Sequence, residues 1–344
     1  MTPQTADQVL ALRNRYASLR LAVVGDYALD RYLEIDASKS EVSIETGREV
    51  YNVTKVRSQP GAAGTILNNL VALGVGELIP VGFCGQDGEG YELLRALKST
   101  PGVNLDHFVQ TPDRITFTYT KPLLKQDDAI FEELNRLDFK NWTPTPREIV
   151  DQLTASIAAL APEVDGVMIL DQVDVEDTGV VTSGFLNQVA TTFENHPALP
   201  VIADSRRGLD GFPPVIFKMN LEELGRLSNI GDGSDQTSPS CQAKKLSQRN
   251  NRPVFITMSA DGILGAEPNG NVEQSPIHPI RGPIDIVGAG DAVSANLIAA
   301  FAAQLPISTA IQLANAAASI VIHKVGTTGE ASLREIADLM SHEA

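Results

Sequence analysis

The chain has 344 residues, 43% of them hydrophobic and only 5% aromatic. That length suits one large α/β domain with a small appendage, because single cores stop growing at roughly 250–300 residues. A net charge of −16 at pH 7 argues against nucleic acid or an anionic membrane as a partner. A few basic residues in a cleft still suffice to hold a phosphate there. The two cysteines, Cys84 and Cys241, form no CxxC pair, and the five histidines show no metal-ligand spacing. Residues 1–19 have no apolar core, and no apolar run approaches the ~18 residues of a membrane span. The expectation is a soluble, cytoplasmic protein without a signal peptide.

Taken in chain order, Val9, Leu10, Leu12 and Tyr16 recur at helical spacing and predict an amphipathic helix over 6–19. The apolar run 19–24 predicts a buried strand ending at Gly25-Asp26. Short strands at 32–35 and 49–56 follow, joined by a polar stretch. From Gly61 the pattern is regular, with helix 64–73, strand 78–83, helix 89–98 and strand 103–109. A β-rich patch covers 115–123 and 130–137. Pro144 and Pro146 open a helix through residue 160, where a missing N–H costs little. Strand 166–170, helix 179–193, strand 200–203 and helix 221–227 continue the alternation. A polar stretch, 231–242, is expected to be mobile. Strand 254–258, a hairpin marked by Pro268–Asn271 and three helices close the chain.

Strands alternating with helices predict a mostly parallel sheet covered on both faces, in one domain spanning 1–344. The strands within 31–57 do not fit that alternation. With the patch at 115–137 they are expected to form a small separate β element, a lid.

In such sheets ligands bind beyond the carboxyl ends of the parallel strands. The sharpest signal there is Asp285-Ile286-Val287-Gly288-Ala289-Gly290-Asp291, running into an apolar helix. Small residues let an anion approach the backbone, and the first N–H groups of a helix are free to bind it. An acid beside that anion is placed to accept a hydroxyl proton, which phosphoryl transfer requires. Taken alone, the motif reads better as a helix cap, with Asp291 accepting backbone N–H bonds. Four more segments accompany it: Pro60-Gly61-Ala62-Ala63-Gly64-Thr65, the glycine-dense Gly82–Gly90, the carboxylates Asp26 and Asp30 after the first strand, and Asn220-Leu221-Glu222-Glu223. Carboxylates in such a loop can orient sugar hydroxyls. Asn220 and Glu223, one turn apart, can hold water around a Mg²⁺. Each has a plainer explanation in turns, caps or solvated loops.

These five segments, in this order, resemble those of the ribokinase-like (PfkB) carbohydrate kinases over about 21–333. The resemblance implies a ribokinase-like three-layer fold and ATP-dependent phosphorylation of a sugar or sugar phosphate, with ATP and Mg²⁺ as cofactors. It implies that Gly288, Ala289 and Gly290 form the anion hole and that Asp291 is the catalytic base. It places Asp26, Asp30, Gly61, Ala62, Thr65 and Arg136 at the sugar. Asn220, Glu223, Thr257, Gly262 and Asn315 are placed at the nucleotide, with Glu223 near the metal through water.

Within the family the chain is most similar to the heptose-7-phosphate kinases of bifunctional ADP-heptose synthases. Gly25–Tyr32, Asn135–Phe139, Ala314–Ala318 and Lys324–Thr327 carry that similarity. The nucleotidyltransferase half of those enzymes is not expected within 344 residues. Ile286 stands where the family usually has Thr, and Thr65 where it usually has Asn. Asp171-Gln172-Val173 and Asp204-Ser205-Arg206-Arg207 also depart from the heptose-kinase loops. Arg206, Arg207 or Lys218 are candidates to neutralise phosphate, and Lys121 with Arg136 to hold a phosphate already on the substrate. Other readings are a nucleoside or ketohexose kinase of the same fold, or a non-catalytic nucleotide- or sugar-binding protein. A dinucleotide-binding dehydrogenase is excluded, because no GxGxxG turn follows Gly25. Exposed lid edges predict a homodimer paired through the lids.

Overall fold

The computed structural model describes residues 5–125, 131–228, 238–326 and 328–341. Its middle layer is a nine-stranded sheet. The strands lie in the order Phe108–Thr111, Glu77–Gly85, Arg20–Gly25, Gly166–Asp171, Val201–Ser205, Ile216–Asn220, Val254–Thr257, Ile263–Ala266 and Val272–Ser275. The first seven run parallel, and the last two form an antiparallel hairpin at one edge. From Arg20–Gly25 the chain builds outward first on one side and then on the other. The switch point therefore lies between Arg20–Gly25 and Gly166–Asp171, where a ligand crevice is expected.

Alternation along the strands divides the apolar residues between two cores. Leu21, Val23, Met168 and Leu170 pack with helices Ala6–Ala17, Ala63–Leu73, Gly88–Ser99, Ala289–Ala302, Ile307–Ile322 and Leu333–Ser341. Ala22, Val24, Val167 and Ile169 pack with helices Arg147–Leu160, Ser183–Asn195, Leu221–Ser228 and Pro239–Asn250. The result is the ribokinase-like three-layer arrangement.

A second, smaller sheet stands beside the crevice. Its order is Leu137–Phe139, Phe117–Lys125, Tyr27–Asp36 and Val53–Ala62, with Phe131–Glu133 also pairing Phe117–Lys125. Strands Tyr27–Asp36 and Val53–Ala62 are ten residues each, longer than the segments expected at 32–35 and 49–56. The ladder runs from Tyr27 opposite Ala62 to Ile35 opposite Val53, and polar Asp30, Arg31 and Gln59 within it hide the strand pattern. Residue 130 of the expected patch lies outside the described residues.

Other boundaries also moved. Strand 103–109 is observed as Phe108–Thr111, with only an isolated bridge from Val103 to Leu78. The helix expected from 179 begins at Ser183, because Thr182 caps it by accepting from Phe185 N. Strand Ile216–Asn220 was hidden by Lys218 and Asn220 within it. Of the stretch expected to be mobile, 231–237 lies outside the described residues. Ser238 and Pro239 open a helix, with Ser238 accepting from Cys241 N and proline at the first turn.

Candidate functional site: a glycine turn, a buried acid and an apolar cavity

The turn into helix Ala289–Ala302 is built on Gly288, whose φ of 84° is left-handed and favours glycine. Asp285 Oδ1 accepts from Val287 N at 3.0 Å, and Asp285 N donates to Ile322 O at 2.7 Å, which together fix the approach. Ala289 N donates to Ile286 O and Ala292 N to Gly288 O. Between them, the N–H groups of Gly290 and Asp291 have no backbone acceptor among the described residues. Two unclaimed donors at a helix N-terminus favour an anion there.

Asp291, half-buried, projects from that first turn. Burial raises its pKa to about 7, helped by the charges of Asp204 and Asp30 and opposed by Lys218 and Arg206. A carboxyl poised near neutrality suits a general base.

The small sheet contributes Asp30, which is 6% exposed. Burial raises its pKa, against the nearby charges of Lys121 and Arg136. Gly61, on the adjacent strand, leaves room for it. Ala62 then turns the chain from strand into helix Ala63–Leu73 at φ 54°, ψ −118°, a strained conformation for a residue with a side chain. Thr65 is buried in the first turn of that helix. Tyr32 follows Asp30 on the same face, with Arg57 4.8 Å and Lys121 5.1 Å from its ring centre. Arg136 lies 5.0 Å over the Tyr119 ring and pairs with Asp138 at 3.1 Å. Tyr119 is in register with Asp30, so these side chains share one wall.

Asp26 plays a different part from the one expected of it. Its Oδ2 accepts from Gln172 N at 2.9 Å and Val173 N at 3.2 Å, and its Oδ1 from Val180 N at 2.7 Å. Burial nevertheless raises its pKa. With three backbone donors on it, the carboxylate holds the 171–180 loop at the switch point rather than standing open to a hydroxyl. Asp171 in turn holds Arg207 at 2.9 Å.

On the other side of the anion turn lies a cavity of about 510 Å³. Thr257, Gly262, Ala289, Gly290 and Asn315 line it, among isoleucines that include Ile286. Asn315 Nδ2 donates to Ser275 Oγ at 3.2 Å and also to Pro276 O, so its amide fastens the cavity's edge. Asn220 and Glu223 form a reciprocal cap on helix Leu221–Ser228: Glu223 N donates to Asn220 Oδ1 at 2.9 Å and Asn220 N to Glu223 Oε2 at 2.8 Å. Among the described residues no three His, Cys, Asp or Glu side chains group closely enough to hold a metal. Mg²⁺, which keeps much of its water, fits beside Glu223 only through that water.

One cluster was missed as a unit by sequence reasoning. Lys218 Nζ pairs with Asp204 Oδ2 at 2.6 Å, and Ser294 Oγ donates to the same oxygen at 2.9 Å. Its members come from three separate elements. The one available signal is Ser294, three residues after Asp291 on the same helix face. Of the Lys324–Thr327 motif, Thr327 lies outside the described residues.

Known proteins share this fold and much of this sequence pattern. Solved structures with the same fold include Arabidopsis thaliana ribokinase complexed with ribose and ATP (TM-score 0.65, 19% identity, 94% of this chain and 98% of that one). Another is a mutant of Escherichia coli phosphofructokinase-2 (TM-score 0.70, 17% identity, 94% and 99%). Curated relatives include the bifunctional protein HldE of Trichlorobacter lovleyi, 29% identical over 93% of this chain and 62% of that protein. HldE of Rhodospirillum rubrum is 29% identical over 99% of this chain and 64% of its own length. The chain thus spans under two thirds of these relatives. The profile of the pfkB family carbohydrate kinases matches residues 20–333, nearly the whole chain, and so the chain belongs to that family.

Proposed function

We propose that this kinase phosphorylates a sugar hydroxyl in the crevice between the small sheet and the anion turn, with Asp291 as the base. The observation that carries the reading is the position of Asp291. It stands on the turn that offers two free N–H groups and titrates near neutrality. Asp30 and the wall around Gly61 orient the sugar. Asp291 accepts the hydroxyl proton as the oxygen attacks the γ-phosphorus of ATP, and the N–H groups of Gly290 and Asp291 bind the phosphoryl oxygens.

The apolar cavity beside Gly290 suits a nucleobase, with Asn315 fixing its edge. Glu223 is the residue that would hold Mg²⁺, through water, and the metal when bound supplies charge neutralisation on the phosphates. ATP turnover with Mg²⁺ against a panel of sugars, sugar phosphates and nucleosides tests the reading. ATP binding without turnover of any acceptor would favour a binding protein instead.

The basic residues on the wall favour a substrate that already carries a phosphate. Arg57 and Lys121 flank Tyr32 one row out from Asp30, and Arg136 lies alongside. A hydroxyl near Asp30 and a phosphate at this row would match a sugar phosphate longer than its reacting end. Selective turnover of sugar phosphates in the panel supports this, and equal turnover of free sugars overturns it.

We also propose a cytoplasmic homodimer joined through the small sheets. Val53, Val56, Leu137 and Phe139 are exposed there, an apolar surface that pairing would cover. Light scattering should give twice the chain mass, and a monomer at working concentration refutes the pairing. No helix among the described residues is long and apolar enough to cross a membrane.

A further inference from the structure

Beneath the anion turn lies a buried cation whose hydrogen-bonding capacity is only partly used. Lys218, on strand Ile216–Asn220, is 6% exposed. Its Nζ lies 2.6 Å from Asp204 Oδ2, at the end of the neighbouring strand Val201–Ser205. The same Asp204 oxygen accepts from Ser294 Oγ at 2.9 Å, and Ser294 Oγ is also 3.1 Å from Gly290 O. Ser294 sits one turn past Asp291, so the network ties two strand ends to the turn that carries the base.

An ammonium has three donors. Asp204 is the one acceptor that Lys218 has among the described residues. The Nζ stands 3.2 Å from where a Cβ on Gly290 would lie, and it feels the charges of Asp291 and Glu223. It therefore sits where the anion turn, the base and the Asn220–Glu223 cap converge. A purely structural lysine in so dry a place should have its donors spent, since unmet buried donors are costly. Here two are left at the point where the nucleotide cavity meets the sugar crevice.

We infer that Lys218 is a further catalytic residue, whose ammonium, aimed by Asp204 and Ser294, holds the phosphoryl group as it passes from ATP to the sugar. This rests on the kinase reading above. In the step, the bond from the γ-phosphorus to the β-phosphate oxygen breaks and ADP leaves with its electrons. The bond from phosphorus to the sugar oxygen forms, and the hydroxyl proton goes to Asp291. Lys218 donates hydrogen bonds to a phosphoryl oxygen throughout and keeps its own protons. Asp204 and Ser294 are positioning residues that act through it.

A contact made chiefly in the transition state lowers kcat and spares KM. Lys218→Met should lose roughly 100-fold or more in kcat, with the KM for ATP changed less than about threefold. At pH 9, where Asp291 is ionised, Asp204→Asn should lose about tenfold, and adding it to Lys218→Met should cost nothing further. A second measurement needs no sugar. Lys218→Met should bind Mg·ADP like the wild type, yet lose most of the affinity for Mg·ADP with aluminium fluoride, which mimics the phosphoryl group in flight. A kcat within threefold of wild type, or equal loss of both affinities, overturns the assignment. Wild type inert toward every sugar would sink the kinase reading instead, and the ratio of the two affinities would still decide the role of Lys218.

Discussion

A Cβ placed on Gly61 would stand 2.6 Å from Cγ of Asp30, so the glycine is what lets that carboxylate lie between two strands of the small sheet. Any side chain at 61 must push Asp30 away from the face it shares with Tyr32. Gly61→Ala should therefore raise the KM for the sugar about tenfold or more while leaving the KM for ATP near the wild-type value. Steady-state kinetics with each substrate varied in turn checks this. Equal rises in both constants would mean that Asp30 is a packing residue.

The neighbouring Ala62 carries strain that glycine would relieve. At φ 54°, ψ −118° a side chain costs of the order of 1–3 kcal/mol. Glycine loses part of that gain through the greater freedom of its unfolded chain. Ala62→Gly should gain about 1 kcal/mol in denaturant unfolding. A variant less stable than wild type would show that the methyl group packs better than the strain costs.

The pKa of Asp291, about 7, sets two pH dependences. A base must be unprotonated, so kcat/KM should fall about tenfold per pH unit below about 7. In Lys218→Met that limb should move upward, because the ammonium lowers the pKa of Asp291. Stability runs the other way. A carboxyl whose pKa is raised by folding favours the folded state least once pH exceeds the folded value. Asp291→Asn should therefore melt a few degrees above wild type at pH 8, and that advantage should shrink as pH falls toward 4. Scanning calorimetry at the two pH values checks the sign, and an advantage that grows toward pH 4 would contradict it.

Much of this arrangement is legible in the sequence because it is local. Gly288 to Asp291 is one continuous turn, and the apolar strand and helix runs show which faces are covered. What the sequence hides is assembled from distance. Asp26 looks like an open carboxylate until the loop at 172–180 folds over it with three N–H groups. Lys218 interrupts an apolar run and obscures the strand Ile216–Asn220. Only the neighbouring strand supplies Asp204, and only the final third of the chain supplies Ser294. Asn220 and Glu223 read as well for a cap as for a metal neighbour, and the structure shows the cap.

The most direct test of the account is ATP turnover with Mg²⁺ across sugars, sugar phosphates and nucleosides, with wild type beside Asp291→Asn. Turnover with a sugar or sugar phosphate is expected, falling by roughly 100-fold or more in the variant while ATP affinity holds. Near-normal turnover in Asp291→Asn would contradict it.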